Sequence, residues 1–138
     1  MTTQLKCEQR IDKELKDRIA DLTKLFRLWQ NGSEESDSDL GTFNEYGLGF
    51  DYVSPNTFKD QEQGYFRYQL SWGGPSDEFR FYVNPDLSAY KVEYVFLDWF
   101  DGATRELSGD NKKLMFEIYD GFKECGIPQD ELRKASEE

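Results

Sequence analysis

Between Tyr65 and Phe100 apolar and polar residues alternate in successive runs. Phe66, Tyr68, Leu70 and Trp72 interleave with Tyr65, Arg67, Gln69 and Ser71, and Phe79, Phe81 and Val83 interleave with Glu78, Arg80 and Tyr82. A period of two is the mark of a strand with one buried face. Gly73-Gly74-Pro75-Ser76-Asp77 supplies turn chemistry between them, so the pattern predicts an antiparallel hairpin. Parity sets its register: Trp72 opposite Phe79, Leu70 opposite Phe81 and Tyr68 opposite Val83 preserve one apolar face, whereas a slip of one residue puts Trp72 opposite Glu78. Beyond Asn84-Pro85-Asp86-Leu87-Ser88 a third strand from Tyr90 extends the row through Val92, Tyr94 and Phe96. With Val83 facing Tyr90, Arg80 faces Glu93 and Tyr82 faces Lys91, ordinary cross-strand pairs. Trp72, Phe79, Phe81, Tyr94 and Phe96 are the expected buried row.

Residues 4–30 carry the other period. Ile11, Leu15, Ile19, Leu22, Phe26 and Trp29 step by three or four, the stripe of an amphipathic helix that stops at Asn31-Gly32. Leu25 and Leu28 widen the stripe, which favours packing on a sheet over helix dimerisation. Leu48, Phe50 and Tyr52 predict a fourth strand, interrupted at Ser54-Pro55-Asn56, and residues 54–64 read as a loop. Asp101-Gly102-Ala103-Thr104 reads as a turn. Ser108 is the expected N-cap of a second amphipathic helix with Leu114, Met115, Ile118, Tyr119, Phe122 and Cys125 inward, closed by Gly126. A short last helix is expected from Pro128 to Lys134, with a frayed acidic end over 135–138. The expected fold is α+β: one domain over 1–138, an antiparallel sheet of about four strands packed on one face by the N-terminal and C-terminal helices.

Composition narrows the chemistry. With 138 residues, 16% aromatic, the chain has the length for one core and builds it from rings more than branched aliphatics. There is no histidine, and the two cysteines, Cys7 and Cys125, lie near opposite ends without C-x-x-C spacing. This argues against a zinc site, a histidine base and an activated thiol nucleophile, and both cysteines are expected reduced, Cys125 as a buried hydrophobe. Phosphate-loop and Gly-x-Ser-x-Gly signatures are missing as well. No cofactor and no metal is expected. Residues 33–41 are expected to form an acidic, mobile loop; starting an EF-hand at Glu35 puts Leu40 and Tyr46 where Gly and Glu are required, so that site is excluded. An apolar stretch long enough for a membrane span is absent, as is a leader-like start, and the expectation is a soluble cytoplasmic protein that does not bind membranes.

Charge supplies the functional reading. The net charge is −11; residues 1–33 hold seven bases against five acids, so the remaining 105 residues sum to −13. Such a chain repels nucleic acid and attracts basic partners. The polar sheet face, with Arg67, Gln69, Arg80, Tyr82, Lys91 and Glu93, resembles a platform for single strands only in outline, because its charges balance and the surrounding field is negative. Glu34, Glu35, Asp37, Asp39, Asp60 and Glu62 lie outside the inferred core and are the expected contact residues for a basic protein.

In composition, a small, strongly acidic chain without histidine, the protein is similar to DNA-mimic proteins of phages and mobile elements. That resemblance implies an inhibitor presenting carboxylates where a nucleic-acid-binding protein expects phosphates. Two other readings stand beside it. One is an acidic adaptor whose charge serves solubility. The other is a carboxylate-dependent, metal-assisted enzyme using Asp77, Glu78, Asp98, Asp101 and Asp51. The expectation is a binding protein and not an enzyme, with no assigned catalytic residue and with monomer and weak dimer both open.

Overall fold

The computed structural model describes residues 6–31, 40–98 and 100–136. Helix α1 (Cys7–Gln30) and the one-turn α2 (Phe43–Tyr46) precede five strands: β1 (Gly49–Val53), β2 (Tyr65–Ser71), β3 (Ser76–Val83), β4 (Ala89–Asp98) and β5 (Asp101–Glu106). Helices α3 (Gly109–Glu124) and α4 (Ile127–Ser136) follow. The strands make an antiparallel meander in chain order, and the helices at both ends of the chain pack on one face of it. The fold is α+β with five strands where about four were expected.

The alternation chooses the buried face. Phe66, Tyr68 and Leu70 of β2, Phe79 and Phe81 of β3, and Val92, Tyr94 and Phe96 of β4 are all buried in one cluster with Ile11, Leu22, Leu25 and Phe26 of α1 and Met115, Ile118 and Tyr119 of α3. Rings make the seams, as the aromatic composition requires. Tyr119 lies 5.2 Å from Phe81 and 6.2 Å from Phe66, Phe122 lies 5.3 Å from Tyr68, and the Phe26 and Trp29 rings stack at 5.6 Å. Where α1 meets α3, a Cβ on Gly121 would stand 3.1 Å from the Trp29 ring, so glycine allows the helices this approach.

The β3–β4 register follows the pattern: Arg80 faces Glu93, Phe81 faces Val92 and Tyr82 faces Lys91. A bulge then sets Val83 opposite Ala89 instead of Tyr90. The β2–β3 register differs from expectation by four residues. Tyr68, not Trp72, faces Phe79, and Phe66, not Leu70, faces Phe81. Parity is preserved, so the apolar face is the one expected, but β2 leaves the sheet after Ser71, and Trp72 is 76% exposed. The inner position expected for Trp72, opposite Phe79, is filled by Tyr68, and Asp77 lies buried in β3 and not in the turn.

Three further expectations change. Asp101–Thr104 is the start of an edge strand, because the turn closes at Asp98 opposite Asp101 and lets Ala103 reach the core. Gly, Ala, Thr, Arg and Glu give that strand no apolar alternation to read. Cys125 caps α3 and is exposed, whereas Cys7 is buried; both are free. The last helix runs two residues further than expected, to Ser136. The acidic stretch 32–39, and with it Glu34, Glu35, Asp37 and Asp39, lies outside the described residues, as do residues 1–5 and 137–138. Among the described residues, no helix is long and apolar enough to cross a membrane.

Phe81 is fully buried between β2, β4 and Tyr119. Phe81→Ala should destabilise the protein by about 3–5 kcal/mol in urea unfolding; a variant as stable as the parent would contradict this core.

Candidate functional site

The most developed polar arrangement joins α1 to the sheet. Asp77 is 2% exposed on the helix-covered face. Its Oδ2 accepts from Arg18 Nε at 2.7 Å and from the Tyr94 hydroxyl at 2.6 Å, and its Oδ1 accepts from Arg18 Nη2 at 3.0 Å and from Ser71 Oγ. Arg18 Nη1 donates to the Tyr46 hydroxyl at 2.8 Å, which donates in turn to Asp21 at 2.6 Å. A buried carboxylate needs such partners, because desolvation of an unpaired charge costs several kcal/mol. Burial works against the Arg18 charge, but the bonds to Asp77 and Tyr46 outweigh it and lift its pKa. Burial and the hydrogen bond to Asp21 push the Tyr46 hydroxyl up to about 12. Burial and Asp77 raise Tyr94 further still.

The carboxylates considered for catalysis do not converge. Asp77 and Glu78 are successive strand residues and point to opposite faces. Glu78, buried on the helix-free face, accepts from Arg80 Nε at 2.8 Å, and that guanidinium lies 4.7 Å over the Tyr65 ring. Asp51 takes Arg67 through two bonds of 3.0 and 2.7 Å. Asp98 binds Arg10, and Asp101 accepts the Cys7 backbone N–H at 2.6 Å at the start of α1. Each acid is thus already bonded within the fold. Among the described residues, no group of three or more acids and cysteines is arranged to hold a metal ion. The helix-free sheet face is likewise paired: Arg67 with Asp51, Arg80 with Glu78, and Lys91 with Glu93 at 4.0 Å.

Of the expected contact residues, Asp60 and Glu62 are described, and both are exposed. Their loop is closed by its own bonds, Asn56 N to Gln61 O at 2.7 Å and Gln61 Nε2 to Ser54 O at 3.0 Å, so the two carboxylates sit on a fixed platform. A second acidic surface was not read from the sequence. Asp110, Glu117, Asp120 and Glu124 are exposed on α3, and none takes part in an ion pair among the described residues. At 100° per residue they fall in one stripe about 21 Å long. Its signal was present as the polar complement of the inward Met115, Ile118 and Tyr119 series. Lys113 shares the stripe and Arg27 of α1 flanks it, leaving an excess of carboxylate. Elsewhere an apolar recess of about 660 Å³ opens between β1, the β3–β4 turn and α4, lined by Tyr52, Leu87, Leu132 and Ala135, with Arg133 at its rim tied to Asp130.

With this geometry in view, the comparisons add nothing by analogy: no protein-family model, curated protein or solved structure matches the chain.

Two outcomes follow from the Asp77 network. Arg18→Met leaves a buried carboxylate without its cation and should cost about 3–5 kcal/mol, whereas Arg18→Met combined with Asp77→Leu should cost less than Arg18→Met alone. Urea unfolding of the two variants and the parent measures this, and a double variant worse than the single one would contradict the reading. The second outcome is alkaline. Burial holds Tyr46, Tyr68, Tyr82, Tyr94 and Tyr119 protonated beyond the ordinary tyrosine value. In the unfolded chain tyrosine ionises near about 10, so the folded state binds more protons above that pH and stability is lost as pH rises. The urea midpoint should therefore fall between about pH 9 and pH 11, and less steeply in Tyr46→Phe; an unchanged midpoint would refute it.

Proposed function

We propose that the chain is an acidic protein-binding module that grips a basic protein, and that it acts by binding, not by catalysis. The preferred partner class is a nucleic-acid-binding protein, whose cationic surface the carboxylates would occupy in place of phosphates. The observation that carries the reading is the stripe on α3, Asp110, Glu117, Asp120 and Glu124, without an ion-pair partner among the described residues and on a regular helix face. Further support comes from the division of labour among the acids. Asp51, Asp77, Glu78, Asp98 and Asp101 of the sheet are bonded to arginines or backbone, while those facing solvent on α3 and on the 54–64 loop are left to shape the external field. A net charge of −11 attracts cationic surfaces over roughly the 8 Å Debye length of physiological salt.

The six described residues Asp60, Glu62, Asp110, Glu117, Asp120 and Glu124 are exposed. Converting all six to Asn and Gln should leave unfolding within about 0.5 kcal/mol per site of the parent, as surface changes do. Partners recovered from lysate at low salt should be basic proteins released by high salt and by added duplex DNA. Their association with the six-fold variant should be slower and less salt-dependent, because peripheral charges act through steering. Capture insensitive to salt and to DNA would reject the reading.

A further inference from the structure

Among the described residues, four of the six exposed large apolar side chains belong to one end of the sheet: Leu48, Trp72, Leu97 and Phe100. The registers explain the grouping. Ser71 faces Asp77, Ser76 faces Leu97, and Asp98 faces Asp101, so the β2–β3 and β4–β5 turns emerge side by side. Trp72 leaves from the first turn and Phe100 from the second, with Leu97 on the strand between them. Neighbouring strands are about 4.8 Å apart, which spreads the group over about 15 Å from β2 to β5. Phe100 has no side-chain cover at all, at 106% exposure.

The frame under these side chains is stiff. Ser71 and Asp77 are held by the Arg18 and Tyr94 network, Asp98 by Arg10, and Asp101 by the first amide of α1. Leu97 is laid across β5 in a space that only glycine leaves, since a Cβ on Gly102 would stand 2.7 Å from its Cδ2. At Gly73 and Gly74 an added Cβ would meet nothing within 4 Å, so the turn behind the indole is open. Scattered exposed apolar residues are normal on a monomer, but large apolar side chains grouped at one end of a braced sheet are the anchors of an interface.

Charge decides what the anchors meet. A second copy of the chain would bring another net −11 to the same place. The arginines nearest this end, Arg10 and Arg18, are already bound to Asp98 and Asp77, so they offer nothing to an acidic surface. Asp101 stays exposed beside Phe100 with Lys6 near it, and Glu45 lies three residues before Leu48, so the field over this end is set by the overall charge of −11. We propose that the Trp72–Leu97–Phe100 end is the docking surface for a basic protein whose contact face carries an apolar recess rimmed by Lys and Arg. The proposal rests on the acidic-module reading and names where that module holds its partner.

The test uses a displayed library of random short peptides selected on the immobilised full chain. Selected peptides should carry one large apolar residue flanked by Lys or Arg. Trp72→Ser combined with Phe100→Ser should weaken them about tenfold or more through faster dissociation, as loss of central anchors does, while the thermal unfolding midpoint stays at that of the parent. Neutralising Asp110, Glu117, Asp120 and Glu124 should instead slow association. Basic peptides that bind the Trp72/Phe100 variant unchanged would overturn the docking surface and leave the acidic module standing. Peptides without Lys or Arg, bound independently of salt, would overturn both. A selection that yields no peptide weakened by the double change also overturns the proposal, as does a dimer in sedimentation that the double change dissolves.

Discussion

A carboxylate buried between a helix and a sheet dictates more of this molecule than any apolar contact. Asp77 sits where the alternating pattern would put a large apolar side chain, and it is tolerable there only because Arg18, Tyr94 and Ser71 converge on it. Those partners come from α1, β4 and β2, so satisfying one charge fixes the position of the N-terminal helix over three strands. Replacing such an ion pair by apolar groups often costs little, whereas losing one partner costs several kcal/mol. The network is therefore better understood as a device for placement than as a source of net stability. It also explains the shifted hairpin: with Asp77 turned inward and Ser71 turned toward it, β2 ends one residue before Trp72, which is left in solvent.

The rest of the core behaves as an aromatic-rich chain should. Tyr119 illustrates how its parts are tied together. Its ring packs on Phe66 and Phe81, and its hydroxyl donates to the Leu87 carbonyl at 2.7 Å in the β3–β4 turn. Leu87 holds a positive φ of 71°, a conformation that residues other than Gly, Asn and Asp rarely adopt. The turn keeps a leucine there because its side chain packs against the core and its carbonyl is engaged by α3.

What could be read from the sequence was whatever a period of two or of 3.6 encodes: the two long helices, the inner faces of β2, β3 and β4, and the β3–β4 register. What could not be read had competing causes. The β2–β3 register was lost because a four-residue slip preserves parity, so hydrophobicity alone does not separate the alternatives; the discriminating term is the buried charge of Asp77. β5 was missed because an edge strand of Gly, Ala, Thr, Arg and Glu has almost no apolar signal. Cys125 was assigned to the core by helical spacing, but α3 ends at Glu124 and the residue turns outward with the cap. At the surface, the α3 carboxylates are legible as a helical stripe in the outward series of the same helix. The exposed ends at Trp72 and Phe100 needed the three-dimensional registers.

The fold braces one end of the sheet and leaves its unpaired acids elsewhere. Acids with structural duties are bound there by Arg10, Arg18 and the α1 amide, which stiffens the turns that display Trp72 and Phe100, while the unpaired acids lie on α3 and the 54–64 loop. Everything in this arrangement depends on Asp77 pinning one end of β2 and β3 beneath α1. The most direct measurement is native-state hydrogen exchange on Asp77→Asn, which keeps the shape of the side chain and removes its charge. The amides of Ser71, Glu78 and Leu97 should lose protection first, while those of Phe66, Phe81 and Val92 at the far end keep theirs. Protection that is unchanged, or lost evenly along the strands, would contradict the account.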